Sequence, residues 1–167
     1  MNQKIEIILM KMIRRLYLFK NMSDEETLEL AKNFKLNFYK KGSIIFKENT
    51  YLTNIYILKN GQLDIIKSTG NNSISLGHLK EGELFGEMSY LNNVATMAMV
   101  YASTDCDIWE IPINKFGKFL EKHPHIKSEI IQIKEARESD NKSKLKFNNN
   151  SVDNTKDNCL EDITLFF

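Results

Sequence analysis

The sequence is poor in the residues that mark disulfide-rich and metal-binding proteins. Its 167 residues include two cysteines, Cys106 and Cys159, which lie far apart and lack CxxC or Cys/His spacing. A disulfide framework and a metal site are therefore not expected. The pattern favours two ordinary thiols in a reducing compartment.

Long apolar runs and an excess of one charge are also missing. No apolar run approaches the roughly 18 residues that span a bilayer. The apolar stretch Ile5 to Met10 precedes its positive charges, Lys11, Arg14 and Arg15, whereas a signal peptide has the reverse order. A net charge of +1 gives no broad attraction to nucleic acid or anionic membrane. We therefore expect a cytoplasmic protein with neither nucleic acid nor membrane as partner.

The N-terminal part of the chain has helical patterning. Apolar residues at helical spacing predict a helix from about Lys4 to Tyr17. Ser23 with Glu26 three residues later forms a capping-box pattern, which predicts a second helix to about Asn33. We assign residues 1–33 to N-terminal helices.

Residues 34–111 carry short β-branched and aromatic runs separated by turn signals, such as the hairpin dipeptide Asn60-Gly61. Closely spaced short strands predict an eight-stranded antiparallel roll. The fold class is mainly β with flanking helices, an antiparallel double-stranded β-helix or jelly-roll-like β-roll. Gly86 interrupts the strand pattern, so residues 87–91 are expected to form one helical turn.

Residues 112–140 return to helical patterning, and residues 141–167 form an Asn-rich tail. Ile126, Ile130 and Ile133 make an apolar stripe, which predicts a homodimer through this C-terminal helix; the alternative is that the stripe closes over the roll. The tail has too few apolar residues to fold alone. Its end, Leu160 to Phe167, is apolar enough to dock on the body or on an unidentified protein partner.

The interruption at Gly86 is the candidate site. The start of a helical turn offers unpaired backbone N–H groups to a phosphate. Glu87 is suited to accept a hydrogen bond from a ribose hydroxyl; the alternative is that it caps the N–H groups of its own turn.

Two stretches of the sequence resemble a known motif: Phe85-Gly86-Glu87-Met88-Ser89-Tyr90-Leu91 and Ala95-Thr96-Met97-Ala98-Met99-Val100. Together they are similar to the phosphate-binding cassette of the cyclic-nucleotide-binding family, which includes the catabolite activator protein and kinase A regulatory subunits. The resemblance runs from about residue 14 to 135. It implies a β-roll, cyclic AMP or cyclic GMP as ligand without any other cofactor, and the following ligand-binding residues: Phe85, Gly86, Glu87, Met88, Ser89, Ala95, Thr96 and Met97.

The cassette departs from the family pattern at three positions. The family's proline falls at Ala95, its phosphate-binding arginine at Thr96 and its second hydroxyl donor at Met99. Charge-assisted bonds contribute roughly 1.5–3 kcal/mol each, and losing about 3 kcal/mol weakens affinity roughly a hundredfold. We therefore expect cyclic-nucleotide binding to be weakened or lost. Thr96 is either a hydroxyl donor to a different ligand or an ordinary strand residue.

No catalytic constellation is visible, so we expect a non-enzymatic protein with no catalytic residues. His123 and His125 flank Pro124, and no carboxylate or cysteine cluster accompanies them, which favours surface histidines over metal ligands. In the family's transcription regulators a helix-turn-helix follows the long helix, whereas here the Asn-rich tail follows it, so we expect no direct DNA-binding role. Three functions stay open: a sensor domain, a protein-interaction module without ligand, and a regulatory subunit of a separate enzyme.

Overall fold

The computed structural model describes residues 3–69, 72–132 and 135. Helices α1 (Gln3–Arg15) and α2 (Asp24–Ala31) lead into a run of strands. The strands and one short helix are β1 (Lys35–Tyr39), β2 (Ile44–Phe46), β3 (Asn54–Asn60), β4 (Leu63–Thr69), β5 (Asn72–Leu79), β6 (Leu84–Phe85), α3 (Glu87–Asn92), β7 (Met99–Ala102) and β8 (Cys106–Pro112). Helix α4 (Ile113–Lys122) follows, and residues 124–132 are helical again as α5. Within these ranges no helix is both long enough and apolar enough to cross a bilayer.

The eight strands form two four-stranded sheets. Their orders are β1–β8–β3–β6 and β2–β7–β4–β5, and the paired strands run antiparallel. Strand β6 is only two residues long because α3 begins directly after Gly86. The predicted antiparallel β-roll with flanking helices and an internal helical turn is therefore confirmed.

Strands β3 and β8 separate two apolar cores. Side chains alternate along a strand, so Ile57 and Trp109 pack against the helices while Leu58 and Ile108 pack inside the roll. The first core also contains buried residues of α1, α2, α4 and α5. The terminal helices are thus held on the outer face of the first sheet.

The N-terminal helices begin and end for local reasons. Ser23 Oγ accepts a hydrogen bond from the Glu26 backbone N–H at 3.2 Å, and Ser23 N–H donates to Glu26 Oε2 at 2.8 Å, which confirms the capping box. Helix α1 ends at Arg15, two residues before the predicted end. There the backbone changes to i→i−3 hydrogen bonds, Leu16 N–H to Ile13 O and Phe19 N–H to Leu16 O, both at 3.0 Å.

The β3–β4 turn lies one residue later than the Asn60-Gly61 pattern predicts. Asn60 belongs to β3, pairs with Asp107 and accepts a hydrogen bond from the Asp107 backbone N–H at 3.1 Å. Gly61 alone of the two has a positive φ, 98°, and a Cβ there would lie 2.5 Å from the Asp105 carbonyl oxygen. The close approach of the Asp105–Cys106 backbone therefore requires glycine at this turn.

Two isoleucines of the α5 stripe are buried within the chain. Ile126 and Ile130 are 2% and 1% exposed and belong to the helical core, so these two residues pack as the alternative to the homodimer, closure over the roll, describes. Ile133 lies outside the described residues, as do the tail 141–167 and Cys159. The homodimer through this helix stays a prediction.

The two histidines of the His-Pro-His sequence contact carboxylates of α2, which lie far away in the sequence. His123 Nδ1 lies 3.3 Å from Glu26 Oε1 and its Nε2 lies 3.1 Å from Glu29 Oε2, while His125 Nε2 lies 2.9 Å from Glu26 Oε1. Lys122 Nζ donates to Glu29 at 2.7 Å. This cluster joins α2 to the α4–α5 junction. No His, Cys, Asp and Glu group within the described part of the chain has the arrangement of a metal site.

Candidate functional site

The segment that resembles the phosphate-binding cassette turns sharply at Gly86. Its φ is 82°, and a Cβ there would lie 2.8 Å from Leu52 Cδ1 and 3.3 Å from Tyr56 Cδ2. Only glycine meets both constraints without strain. Helix α3 starts at the next residue and ends at Asn92, and its C-cap Asn93 is also left-handed with a φ of 52°.

Glu87, the first residue of α3, is 1% exposed. Its Oε1 accepts a hydrogen bond from the Tyr17 hydroxyl at 3.0 Å. Tyr17 follows α1 and packs against the helical core. Neither alternative drawn from the sequence foresaw this contact, which ties α3 to the N-terminal segment.

Thr96, at the position of the family's arginine, is 3% exposed. Its hydroxyl donates to the Lys47 carbonyl at 2.6 Å and accepts from the Thr50 N–H at 3.0 Å. Two backbone hydrogen bonds, Thr96 N–H to Thr50 O and Asn49 N–H to Thr96 O, add to these contacts. Thr96 therefore clamps the 47–50 loop, in which Asn49 has a φ of 57°.

One of the two interpretations of Thr96 needs correction. Thr96 is not a strand residue, because β7 begins only at Met99. Met97 is 50% exposed, whereas Ala98, Val100 and Ala102 are buried in the core of the roll.

The other predicted site residues are spread over different surroundings. Phe85 is buried in the roll and stacks on Tyr56, with ring centroids 5.1 Å apart. Met88 and Ala95 are half-buried. Ser89 is also half-buried and lines a groove beside α4 and α5. Phe85, Gly86 and Glu87 are consecutive at the β6–α3 junction, where Gly86 lies against Leu52 and Tyr56.

A buried carboxylate inside the roll was missed. Glu110 is 7% exposed and accepts hydrogen bonds from the Tyr39 hydroxyl at 2.5 Å and from Asn54 Nδ2 at 3.1 Å. Glu110 pairs with Tyr56 on β3, and Tyr56 pairs with Phe85 on β6, so the three form a row across the sheet. The sequence feature that could have indicated this buried carboxylate is the position of Glu110 within the apolar run Ile108–Ile111.

Burial and this carboxylate change the acidity of the two phenols. Burial, followed by the negative charge of Glu110, raises the pKa of Tyr56 to about 12. Burial also raises the pKa of Tyr39, with further contributions from its hydrogen bond to Glu110 and from the charge. Both phenols therefore stay protonated at physiological pH, and the negative charge of Glu110 lies next to Tyr56 inside the roll.

Comparison with known proteins gives a consistent result. Residues 36–123 match the family model described as the cyclic nucleotide-binding domain. Over 109 residues the chain is 32% identical to a cGMP-dependent protein kinase of Toxoplasma gondii, covering 65% of this chain but 11% of that kinase. The regulatory domain of Toxoplasma gondii PKA, solved with cAMP, aligns with a TM-score of 0.69 and 19% identity over 71% of this chain and 46% of that one.

A second solved structure with this fold holds a different ligand. The regulatory subunit of a cAMP-independent protein kinase A from Trypanosoma cruzi, bound to guanosine, aligns with a TM-score of 0.66 and 18% identity. The alignment covers 80% of this chain and 46% of the Trypanosoma cruzi subunit. The chain therefore spans less than half of each of these relatives.

Proposed function

This chain belongs to the cyclic nucleotide-binding domain family, and we propose that within it the chain is a non-catalytic, cytoplasmic regulatory domain with weakened or lost cyclic-nucleotide binding. The observation that carries the proposal is Thr96. The position that the resemblance assigns to the phosphate-binding arginine holds a buried threonine whose hydroxyl bonds to Lys47 and Thr50.

The physical argument concerns the phosphate charge. A cyclic phosphate loses hydration when it enters a half-buried cassette. The N–H groups at the start of α3 replace part of that hydration, and in the family's pattern an arginine supplies the rest as a bidentate, charge-assisted pair. Here no arginine stands at that position. The buried carboxylate of Glu110, in register with Tyr56 and Phe85, adds a charge of the wrong sign on the same face of the sheet.

A second candidate function is an interaction module or regulatory subunit that acts by docking or dimerisation without a ligand. The Tyr17–Glu87 hydrogen bond favours it. The carboxylate that the resemblance assigns to the ribose is here engaged by the chain's own tyrosine. A ligand would have to displace that contact or share the carboxylate.

A calorimetric titration of the protein with cyclic AMP, cyclic GMP and guanosine tests the proposal. We expect neither cyclic nucleotide to bind more tightly than about 100 µM, or ~5.5 kcal/mol. Guanosine is included because it carries no phosphate, and because the Trypanosoma cruzi subunit was solved with it. Binding of either cyclic nucleotide at low micromolar concentration would show that another cation serves the phosphate.

A restoration experiment isolates the effect of a positive charge at position 96 on cyclic-nucleotide affinity. The double variant Ala95→Pro/Thr96→Arg should raise cyclic-nucleotide affinity at least about tenfold, since a single charge-assisted pair contributes that much. The matched control, Ala95→Pro/Thr96→Gln, breaks the same loop clamp and adds length without charge, so it should give no gain. Equal gains in both variants would assign the effect to the loop. No binding by the restored protein would favour the ligand-free module.

A further inference from the structure

An apolar groove of about 460 Å³ lies between α3, α4, α5 and the segment at Tyr51 and Leu52. Leu91, Leu120 and Ile130 line it, and the last two are almost fully buried. These side chains belong to the helical core, so the groove is an opening into that core rather than part of the roll interior.

The rim of the groove exposes three large apolar side chains. Tyr51, Val94 and Ile131 are 70%, 45% and 41% exposed, and all three line the same opening. A single exposed apolar side chain needs no explanation, but several around one cavity mark an interaction surface. The rim also carries one positive residue, Lys127.

The chain itself supplies a segment within reach. Ile130 and Ile131 lie at the wall of the groove in the last described turns of α5, so the part of the chain that follows them begins beside the groove. Residues 136–159 then connect to Leu160. A random-coil connector of about 24 residues would have an r.m.s. span of roughly 25–30 Å. Such a tether gives the segment an effective concentration in the millimolar range.

The segment Leu160–Phe167 has the matching chemistry. It reads Leu-Glu-Asp-Ile-Thr-Leu-Phe-Phe, with five apolar residues and two acids. Its apolar side chains suit the groove, and Glu161 and Asp162 suit the positive Lys127 at the rim. A polar stretch rich in Asn, Ser, Lys and Asp separates it from α5.

We propose that Leu160–Phe167 docks, within the same chain, into the groove between α3, α4 and α5. The docked segment covers Tyr51, Val94 and Ile131. It also links the C-terminal helix to α3, the helix that begins with Glu87.

Disulfide trapping in the full chain tests this, because native Cys159 directly precedes the segment and Cys106 is buried. In Val94→Cys, mild oxidation should give an intramolecular disulfide between the introduced thiol and Cys159, identified by peptide mass spectrometry. The matched control is Ile74→Cys, because Ile74 is 47% exposed on β5 and lies outside the groove. We expect trapping to be at least about tenfold faster in Val94→Cys.

A further variant tests whether the apolar side chains of Leu160–Phe167 cause the docking. Adding Leu165→Asp and Phe166→Asp to Val94→Cys should slow disulfide formation to the rate seen in Ile74→Cys. Equal rates in the two single variants would overturn the proposal. Disulfides from the introduced thiol to Cys159 of another chain would also overturn it, because the groove would then hold the segment of a second copy. None of these outcomes depends on nucleotide binding.

Discussion

At the scale of single residues, Gly86 combines a positive φ with crowded surroundings, and the two effects can be separated. Alanine at φ 82° costs about 1–2 kcal/mol, and its Cβ would also press on Leu52 and Tyr56. Gly82→Ala is the matched control, because Gly82 has a φ of 87° but no atom within 4 Å of its Cβ position. We expect Gly86→Ala to lower the free energy of unfolding by about 1–3 kcal/mol more than Gly82→Ala, measured by urea denaturation. Equal losses would mean that Leu52 and Tyr56 move aside freely.

Tyr17 makes the contact to Glu87 testable on its own. Tyr17→Phe removes the hydroxyl that donates to a buried carboxylate at 3.0 Å and keeps the ring. We expect the free energy of unfolding to fall by about 1–3 kcal/mol. Tyr51→Phe is the control, since the Tyr51 side chain is 70% exposed, and it should change stability by less than about 0.5 kcal/mol. A negligible effect of Tyr17→Phe would mean that Glu87 is held by its other surroundings.

The residues of the site could be predicted from sequence only where they are close in the chain. Gly86 and Glu87 stand out because a glycine and a charge interrupt a β pattern, and the structure places both at the start of α3. Tyr17 lies 70 residues from Glu87, and Tyr39 lies 71 residues from Glu110. No local pattern indicates such pairs, since they exist only once the helices and strands have packed.

At the scale of secondary structure, features that depend on neighbours in sequence could again be predicted, whereas features that depend on tertiary packing could not. The Ser23 capping box was predicted because it depends on neighbours in sequence. The interpretation of Thr96 as a strand residue was wrong because hydrogen bonds to the 47–50 loop hold that residue outside the sheet. The burial of Ile126 and Ile130 could not be read from α5 alone, because the core that contains them also includes residues of α1 and α2.

The junction between α2 and the α4–α5 corner predicts a specific acid sensitivity. The Ser23 backbone N–H, with His125 and His123 nearby, lowers the pKa of Glu26 below its ordinary 4.5. The hydrogen bond from Lys122, followed by that from His123, lowers the pKa of Glu29. A depressed folded-state pKa stabilises the fold above about pH 4.5, and this stabilisation disappears as the pH falls through the folded-state value.

Glu26→Gln cannot titrate, so its deficit in free energy of unfolding relative to the native protein should be present at pH 7 and shrink toward about pH 3. Urea denaturation at several pH values measures this. Glu25→Gln, an exposed first-turn neighbour, controls for the loss of one negative charge at the helix N-terminus. Parallel pH profiles for the two variants would show that the loss of a first-turn negative charge, and not the contacts of Glu26 with Ser23, His123 and His125, causes the sensitivity.

At the scale of the whole molecule, one helical core connects both ends of the described chain to the cassette. Residues of α1, α4 and α5 pack together against the first sheet, while Tyr17 reaches Glu87 from the same side. A change at α3 would therefore act on the N-terminal and C-terminal helices together. This arrangement suits a regulatory domain whether a ligand or a protein partner moves α3.

The last prediction concerns assembly, and it is tested by a substitution at Ile130 of α5. Ile130 is 1% exposed within its own chain, so Ile130→Ala should create a cavity and cost about 2–5 kcal/mol. That loss should be the same at about 1 and about 100 µM protein, concentrations chosen roughly two decades apart so that mass action on a dimer would show. Ile8→Ala is the control, because Ile8 is 42% exposed on α1 and should cost less than about 0.5 kcal/mol. If the cost of Ile130→Ala instead depends on protein concentration, and the native midpoint rises with it, then α5 contributes to a homodimer and the packing of Ile130 is shared between two chains.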